Sequence, residues 1–170
     1  MSRIEITVEL IRTLREQTGA GILDCKQALQ AANGDLDKAG EALRHKGFAQ
    51  AVKRADRPTT QGLIESYVHT GGRVGAMVEL ACETDFVARV PEFKRLARDI
   101  AMQVAAMAPA YLDQGEVEPG ESRPAAQVCL LQQPFIKDNS RAVSEVVQEL
   151  AAKVGENVKV VRFVRLALGE

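Results

Sequence analysis

Apolar residues return every three or four positions through the first fifty residues, then at every second position, then at helical spacing again. Thr7 can cap a first helix whose stripe is Val8, Ile11 and Leu14, and TGAG ends it, with Gly19 suited to a left-handed C-terminal position. ILDCKQALQAA places Leu23, Ala28, Leu29 and Ala32 near one face and stops at Asn33-Gly34. Asp35 is a good cap for a third helix with Leu36, Ala39 and Leu43 on its stripe, and Gly47 is expected to end it. Three helices of this length bury little surface, so a catalytic pocket inside residues 1–50 is not expected.

The segment FAQAVKRADRPTTQG reads as a solvated basic tether, with the linker proper at 51–62: Lys53, Arg54 and Arg57 supply the charge, and Pro58 and Gly62 break the helix. Period two follows. LIESYVH, the turn TGGR and VGAMVELAC predict a hairpin, because adjacent glycines supply the positive φ values of a tight turn. Val74, Ala76, Val78, Leu80 and Cys82 share the apolar face of the second strand, while Tyr67 and His69 share a face opposite Ile64 and Val68. Phe93, Leu96, Ile100, Val104 and Met107 predict a helix opened by Pro91. Residues 109–134 carry four prolines with Asp113, Glu116, Glu118 and Glu121, and read as a weakly structured acidic loop. A helix over SRAVSEVVQELAAKVGEN, striped by Val143, Val146, Val147, Leu150 and Val154, leads to a last strand with Val158, Val160, Val164 and Leu166 on one face. The expected fold is α+β: a three-helix N-terminal domain over 1–50, then a core over 63–170 with an antiparallel three-stranded sheet and helices on one side.

Composition narrows the function. The chain has 170 residues, a formal charge of −1 and 46% hydrophobic residues, so it lacks the overall basic field that favours nucleic acid or an anionic membrane. No apolar run approaches a membrane span, and MSRIEITVEL is too polar for a signal peptide, so a cytoplasmic protein is expected. Cys25, Cys82 and Cys129 are widely spaced, without a CxxC and without His45 or His69 at ligand spacing, so no metal site is expected. There is no GxxxxGK[ST], no GxGxxG after a strand and no GxSxG, and neither a cofactor nor an enzymatic activity is expected. Cys82 and His69 are a formal nucleophile–base pair, but burial would raise the thiol pKa and His69 is expected on the other face of its strand. A plain helical interaction module remains the main rival from another class.

CETDFVARVPEF, residues 82–93, is the stretch that stands apart. Cys82 ends the apolar strand face and Phe93 begins the helix stripe, so the core is served on both sides. Pro91 delays the helix, which leaves Thr84 to Val87 as a separate exposed turn with Phe86 in its middle.

TGAGILDCKQALQAANGDLDKAGEALRHKG, ACETDFVA, QPFIKD and KVGENVKVVRF, in this order, resemble the elongation factor Ts family over nearly the whole chain. The resemblance implies a ubiquitin-associated-like helical domain followed by a core domain. It also implies a non-enzymatic guanine nucleotide exchange factor that binds elongation factor Tu in its GDP form and leaves when GTP enters. On that reading Thr84, Asp85, Phe86 and Val87 enter the partner near its magnesium site and spread the elements that hold the ion and the phosphates. Arg15, Ile22 and Leu23 contact a helix of the partner's nucleotide domain, and Val154 and Gly155 lie at the interface. His69 matches a family histidine that meets another part of elongation factor Tu. Long members carry two related core subdomains, with the TDFV signature on the first and the histidine on the second. Here both lie on one core unit, seventeen positions apart. Two copies would rebuild the two-subdomain face, so a homodimer is expected, with Phe86 from one chain and His69 from the other.

Overall fold

The computed structural model describes residues 6–170. Helix α1 (Val8–Thr18) starts where Thr7 Oγ1 accepts a hydrogen bond from the Leu10 amide (3.3 Å), and it ends at Gly19, whose φ of 70° lets its N–H donate to the Arg15 carbonyl. Helix α2 (Ile22–Ala31) and helix α3 (Leu36–Arg54) are separated by Asn33 and Gly34 in left-handed conformations, and the Asp35 carboxylate accepts from the Lys38 amide at 3.0 Å. The three helices close over a small core of Leu14, Cys25, Leu29, Ala39 and Leu43. Leu23 is not part of it: α2 begins at Ile22, its first turn projects outward, and Cys25 with Leu29 carries the buried stripe instead.

The expected helix stop at Gly47 is overturned. Helix α3 continues to Arg54, so the first part of the expected linker is helical, and Ala51 is buried in the main core. Glycine is needed at position 47 for a different reason. A Cβ there would lie 3.0 Å from the Ala152 Cβ, on the helix that packs against α3. The missing side chain thus permits a close crossing of two helices.

The main core is built on strands β1 (Gln61–Val68), β2 (Val74–Cys82) and, later in the chain, Val158–Ala167, in the order β1, β2, last strand, all antiparallel. Gly71 and Gly72, with φ of 92° and 69°, form the hairpin turn. Gln61 pairs with Cys82 and Tyr67 with Ala76, which turns Leu63, Glu65 and Tyr67 toward the helices and leaves Ile64 and Val68 in solvent. The packing face of β1 is therefore the one that carries Tyr67.

Helix α4 (Asp85–Arg89) and helix α5 (Pro91–Met107) follow the hairpin, and α5 lays Phe93, Leu96, Ile100, Ala101 and Val104 against the sheet. Pro91 occupies the start of α5, where the missing N–H has no helical partner to lose. Residues 109–134 are more structured than their composition implies. They contain helix α6 (Ala125–Val128) and buried Val128, Cys129 and Leu130. A buried amide pair fixes this segment to α5: Gln103 Nε2 donates to Gln133 Oε1 at 3.0 Å, Gln103 Oε1 accepts from the Ile136 amide at 2.7 Å, and Gln133 Nε2 donates to the Gln127 carbonyl at 2.9 Å. A short ladder of β3 (Pro134–Phe135) and β4 (Asp138–Ala142) occupies what reads in sequence as a helix start. Helix α7 begins only at Val143, where Glu145 accepts from the Ala142 amide at 2.8 Å, and runs to Val154.

Strand β5 (Val158–Ala167) closes the sheet with a bulge. Leu80 pairs with Val160 but Glu79 pairs with Arg162, so Val161 is the extra residue. Alternation flips there. Val158 and Val160 are buried and Phe163 packs on the core, whereas Val164 and Leu166 point to solvent, against the single apolar face expected for the strand.

Gly47→Val should lower unfolding free energy by about 1–3 kcal/mol in denaturant titrations, because it overpacks the α3–α7 crossing. A variant as stable as the parent would show that the crossing relaxes freely.

Candidate functional site

Strand β2 ends at Cys82, and the chain reaches α5 through Glu83, Thr84, the five-residue α4 and Val90. Thr84 is the extended residue before α4, yet its hydroxyl does not cap that helix; it donates to Glu156 Oε1 at 2.6 Å. Within α4, Val87 and Ala88 face the main core, so the expected open turn is a small helix seated on its inner side. Of the four sequence-predicted residues, Val87 is buried, Thr84 and Asp85 flank the corner, and Phe86 stands 79% exposed. Asp85 is paired with Arg89 at 2.8 Å along the same helix. An aromatic ring is thus held in water at the apex of backbone that is anchored on both sides, with its burial left available to a partner.

The corner is supported from behind by the turn after α7. Gly155 ends that helix with φ of 74°, exposed, and Val154 is half-buried against the core. Glu156 Oε2 accepts from the Glu83 amide (3.1 Å) and the Thr84 amide (3.0 Å), while Glu83 Oε1 accepts from the Asn157 amide (2.7 Å). Asn157 is buried, and its Nδ2 donates to the carbonyls of Ala55 and Arg57 at 2.9 and 2.8 Å. By resemblance the KVGEN motif contributes Val154 and Gly155 to the interface. Only the fold brings Glu156 and Asn157 to the corner.

The remaining predicted residues lie elsewhere. Arg15, Ile22 and Leu23 are all exposed on the N-terminal helices, with Ile22 57% and Leu23 74% accessible. His69 lies just past β1, exposed, with its Nδ1 3.0 Å from the Tyr67 hydroxyl. It continues the row of Tyr67 beyond the end of the sheet, as expected, but that row lies on the same face of the sheet as Cys82 and not on the other one. Its amide donates to the Val74 carbonyl, at the far end of the hairpin from Cys82. At about 3.3 Å per residue the two are separated by roughly 25 Å. Cys82 and His69 therefore cannot act as nucleophile and base. Burial, with the Glu156 carboxylate nearby, pushes the Cys82 thiol up to about 11.

A cleft of about 950 Å³ lies between the N-terminal helices and the core, lined by Gly19, Asp24, Arg44, Lys46, Glu92 and Lys153 among others, and does not reach the Thr84–Phe86 corner. Within it Lys46 bridges to Asp24 (2.6 Å) and Lys153 to Glu92 (3.3 Å). Among the described residues no His, Cys, Asp and Glu cluster is arranged to hold a metal, and no helix is long and apolar enough to cross a membrane.

Ile22, Leu23 and Phe86 are thus held out on helical backbone, an arrangement suited to docking on another macromolecule. A sequence model of the family Elongation factor TS matches residues 24–123 and 120–170. The elongation factor Ts of Carboxydothermus hydrogenoformans is 46% identical, covering 97% of this chain and 90% of that relative. Those of Desulforamulus reducens and Thermotoga maritima are 44% and 45% identical, over 98% of this chain and 90% and 98% of theirs. The chain belongs to the elongation factor Ts family. Membership makes it a factor of translation elongation that works by promoting nucleotide exchange.

The Cys82 shift has a measurable sign. Its folded value, about 11, lies above the ordinary thiol value of 9.0, so the unfolded chain loses the proton first. The Cys82 contribution to stability is complete below pH 9 and declines as pH rises toward 11. Denaturation midpoints should fall less steeply over that window in Cys82→Ala than in the parent chain, and equal slopes would place the thiol in a more polar setting.

Proposed function

We propose that the chain binds GDP-loaded elongation factor Tu as a homodimer and accelerates GDP release by inserting the Thr84–Phe86 corner near the partner's magnesium and phosphate site. The observation that carries this reading is the isolated exposure of Phe86 on a braced corner. The factor supplies no reacting group. It competes sterically and electrostatically for the space that the ion and phosphates need, and GTP entry reverses the competition.

Linkage sets the scale. A thousandfold weakening of nucleotide binding requires a reciprocal thousandfold weakening of factor binding, a coupling of about 4 kcal/mol. Burying one aromatic yields about 1.5–3 kcal/mol. Phe86 therefore needs help, and the exposed Arg15, Ile22 and Leu23 are suited to provide it from a ubiquitin-associated-like N-terminal domain. Val87 contributes from inside, by fixing α4 on the core. Val154 and Gly155 contribute chiefly the turn that brings the next two residues to the corner.

Two observations support the dimer. Phe86 and His69 project from opposite ends of one hairpin, so a single core unit cannot bring them to one point. The outer face of the sheet exposes Ile64, Val68, Met77, Val164 and Leu166 around the Glu79–Arg162 ion pair (2.7 Å), a surface that a second copy of the same sheet can cover.

Phe86→Ala should slow factor-stimulated release of labelled GDP from elongation factor Tu at least tenfold at saturating factor, while leaving the melting temperature unchanged. Release as fast as with the parent chain would refute the insertion mechanism. Sedimentation should give a dimer for the parent chain and a monomer for Met77→Glu, and a strictly monomeric parent would end the dimer reading.

A further inference from the structure

We infer that Glu156 is a positioning residue for the exchange corner, and that with Asn157 it forms a latch joining the corner to the segment that leaves the N-terminal helices. The inference rests on the proposed role of Thr84–Phe86 and assigns a task to two residues outside the expected interface. A corner between a strand and a five-residue helix has few bonds of its own. Thr84 lies outside the ladder, since β2 pairing ends at Cys82, and α4 is too short to hold itself.

Glu156 supplies what the ladder does not. One carboxylate oxygen accepts from two successive amides, Glu83 and Thr84, and the other accepts from the Thr84 hydroxyl at 2.6 Å. Three bonds on one carboxylate fix both its rotamer and the plane of the peptide it grips. Glu83 returns the contact through the Asn157 amide, so the two segments, more than seventy residues apart in sequence, grip each other in both directions. Arg57 reaches the outer oxygen of Glu83 at 3.4 Å and offsets some of the paired negative charge. Asn157 extends the grip to Ala55 and Arg57 just after α3. Phe86 follows Thr84 by two residues, so a rotation of the Thr84 peptide swings the ring directly.

None of these groups needs to touch the partner. Glu156 acts through the direction in which Phe86 is presented, and its loss should reduce the maximal exchange rate more than the apparent affinity. Asn157 acts through the position of the N-terminal helices, and its loss should weaken apparent affinity more.

The test is stimulated release of labelled GDP from elongation factor Tu, over a range of factor concentrations, for Glu156→Ala, Glu156→Gln, Phe86→Ala and the Glu156→Ala/Phe86→Ala double variant. Hydrogen exchange of the free proteins is measured alongside. Glu156→Ala should lose at least tenfold of the maximal rate, and Glu156→Gln, which retains an acceptor oxygen, should recover part of it. The double variant should be no slower than Phe86→Ala, because the two residues act in series. Amides of Glu83 and Thr84 should lose protection in Glu156→Ala while those of α5 keep theirs, which separates a local release from unfolding. Parent-like rates in Glu156→Ala, multiplicative losses in the double variant, or unchanged protection at Glu83 and Thr84 would each overturn the latch. A Phe86→Ala variant as fast as the parent would instead remove the underlying reading of the corner, and protection would then still report whether the latch exists.

Discussion

A three-stranded sheet covered by helices on one face only makes every step of alternation consequential. Ala76, Val78, Leu80, Val158 and Val160 must face α5 and α7, because they are what the sheet contributes from β2 and the start of β5 to the core that Phe93, Ile100 and Val104 cover. The bulge at Val161 is where this constraint is released. Up to that point β5 is a core strand; beyond it the strand trades its alternation, leaves Phe163 inside and turns Val164 and Leu166 outward. One extra residue thus marks the edge of the core and adds Val164 and Leu166 to the apolar outer surface.

The same economy governs the corner. With so little sheet, the chain cannot brace a protruding loop by adding strands, and it uses a carboxylate from the opposite end of the core domain instead. Buried polar groups recur wherever irregular backbone has to be fixed. Gln103 and Gln133 hold residues 109–136 against α5, and Asn157 holds residues 55–57. In each case a side-chain amide or carboxylate satisfies main-chain groups that neither helix nor ladder can reach.

What could be read from sequence divides along this line. Helix caps at Thr7 and Asp35, the hairpin at Gly71-Gly72, Pro91 at the head of α5 and the exposure of Phe86 all follow from local chemistry, and each was legible. Gly47 was misread because glycine breaks helices on average, whereas here the determinant is a neighbour 105 positions away, Ala152. The facing of Val164 and Leu166 departs from the expected single face because a bulge has no local signature. Glu156 and Asn157 sat in plain view in KVGEN, but their partners are set by tertiary structure alone. Acidic, proline-rich composition likewise concealed the buried Val128–Leu130.

Helix α3 carries Ala39 and Leu43 in the small core and Ala51 in the large one, with no break between them. The first part of the segment expected to be a flexible leash is a strut. A leash would let the two contact regions of an elongation factor Ts search independently, each docking at its own moment and the second at an effective concentration diluted by the tether's reach. A strut abolishes that search: on the proposed reading Leu23 and Phe86 travel as fixed points of one body, a partner would have to accept both at once, and the spacing between them would act as a ruler that measures its shape.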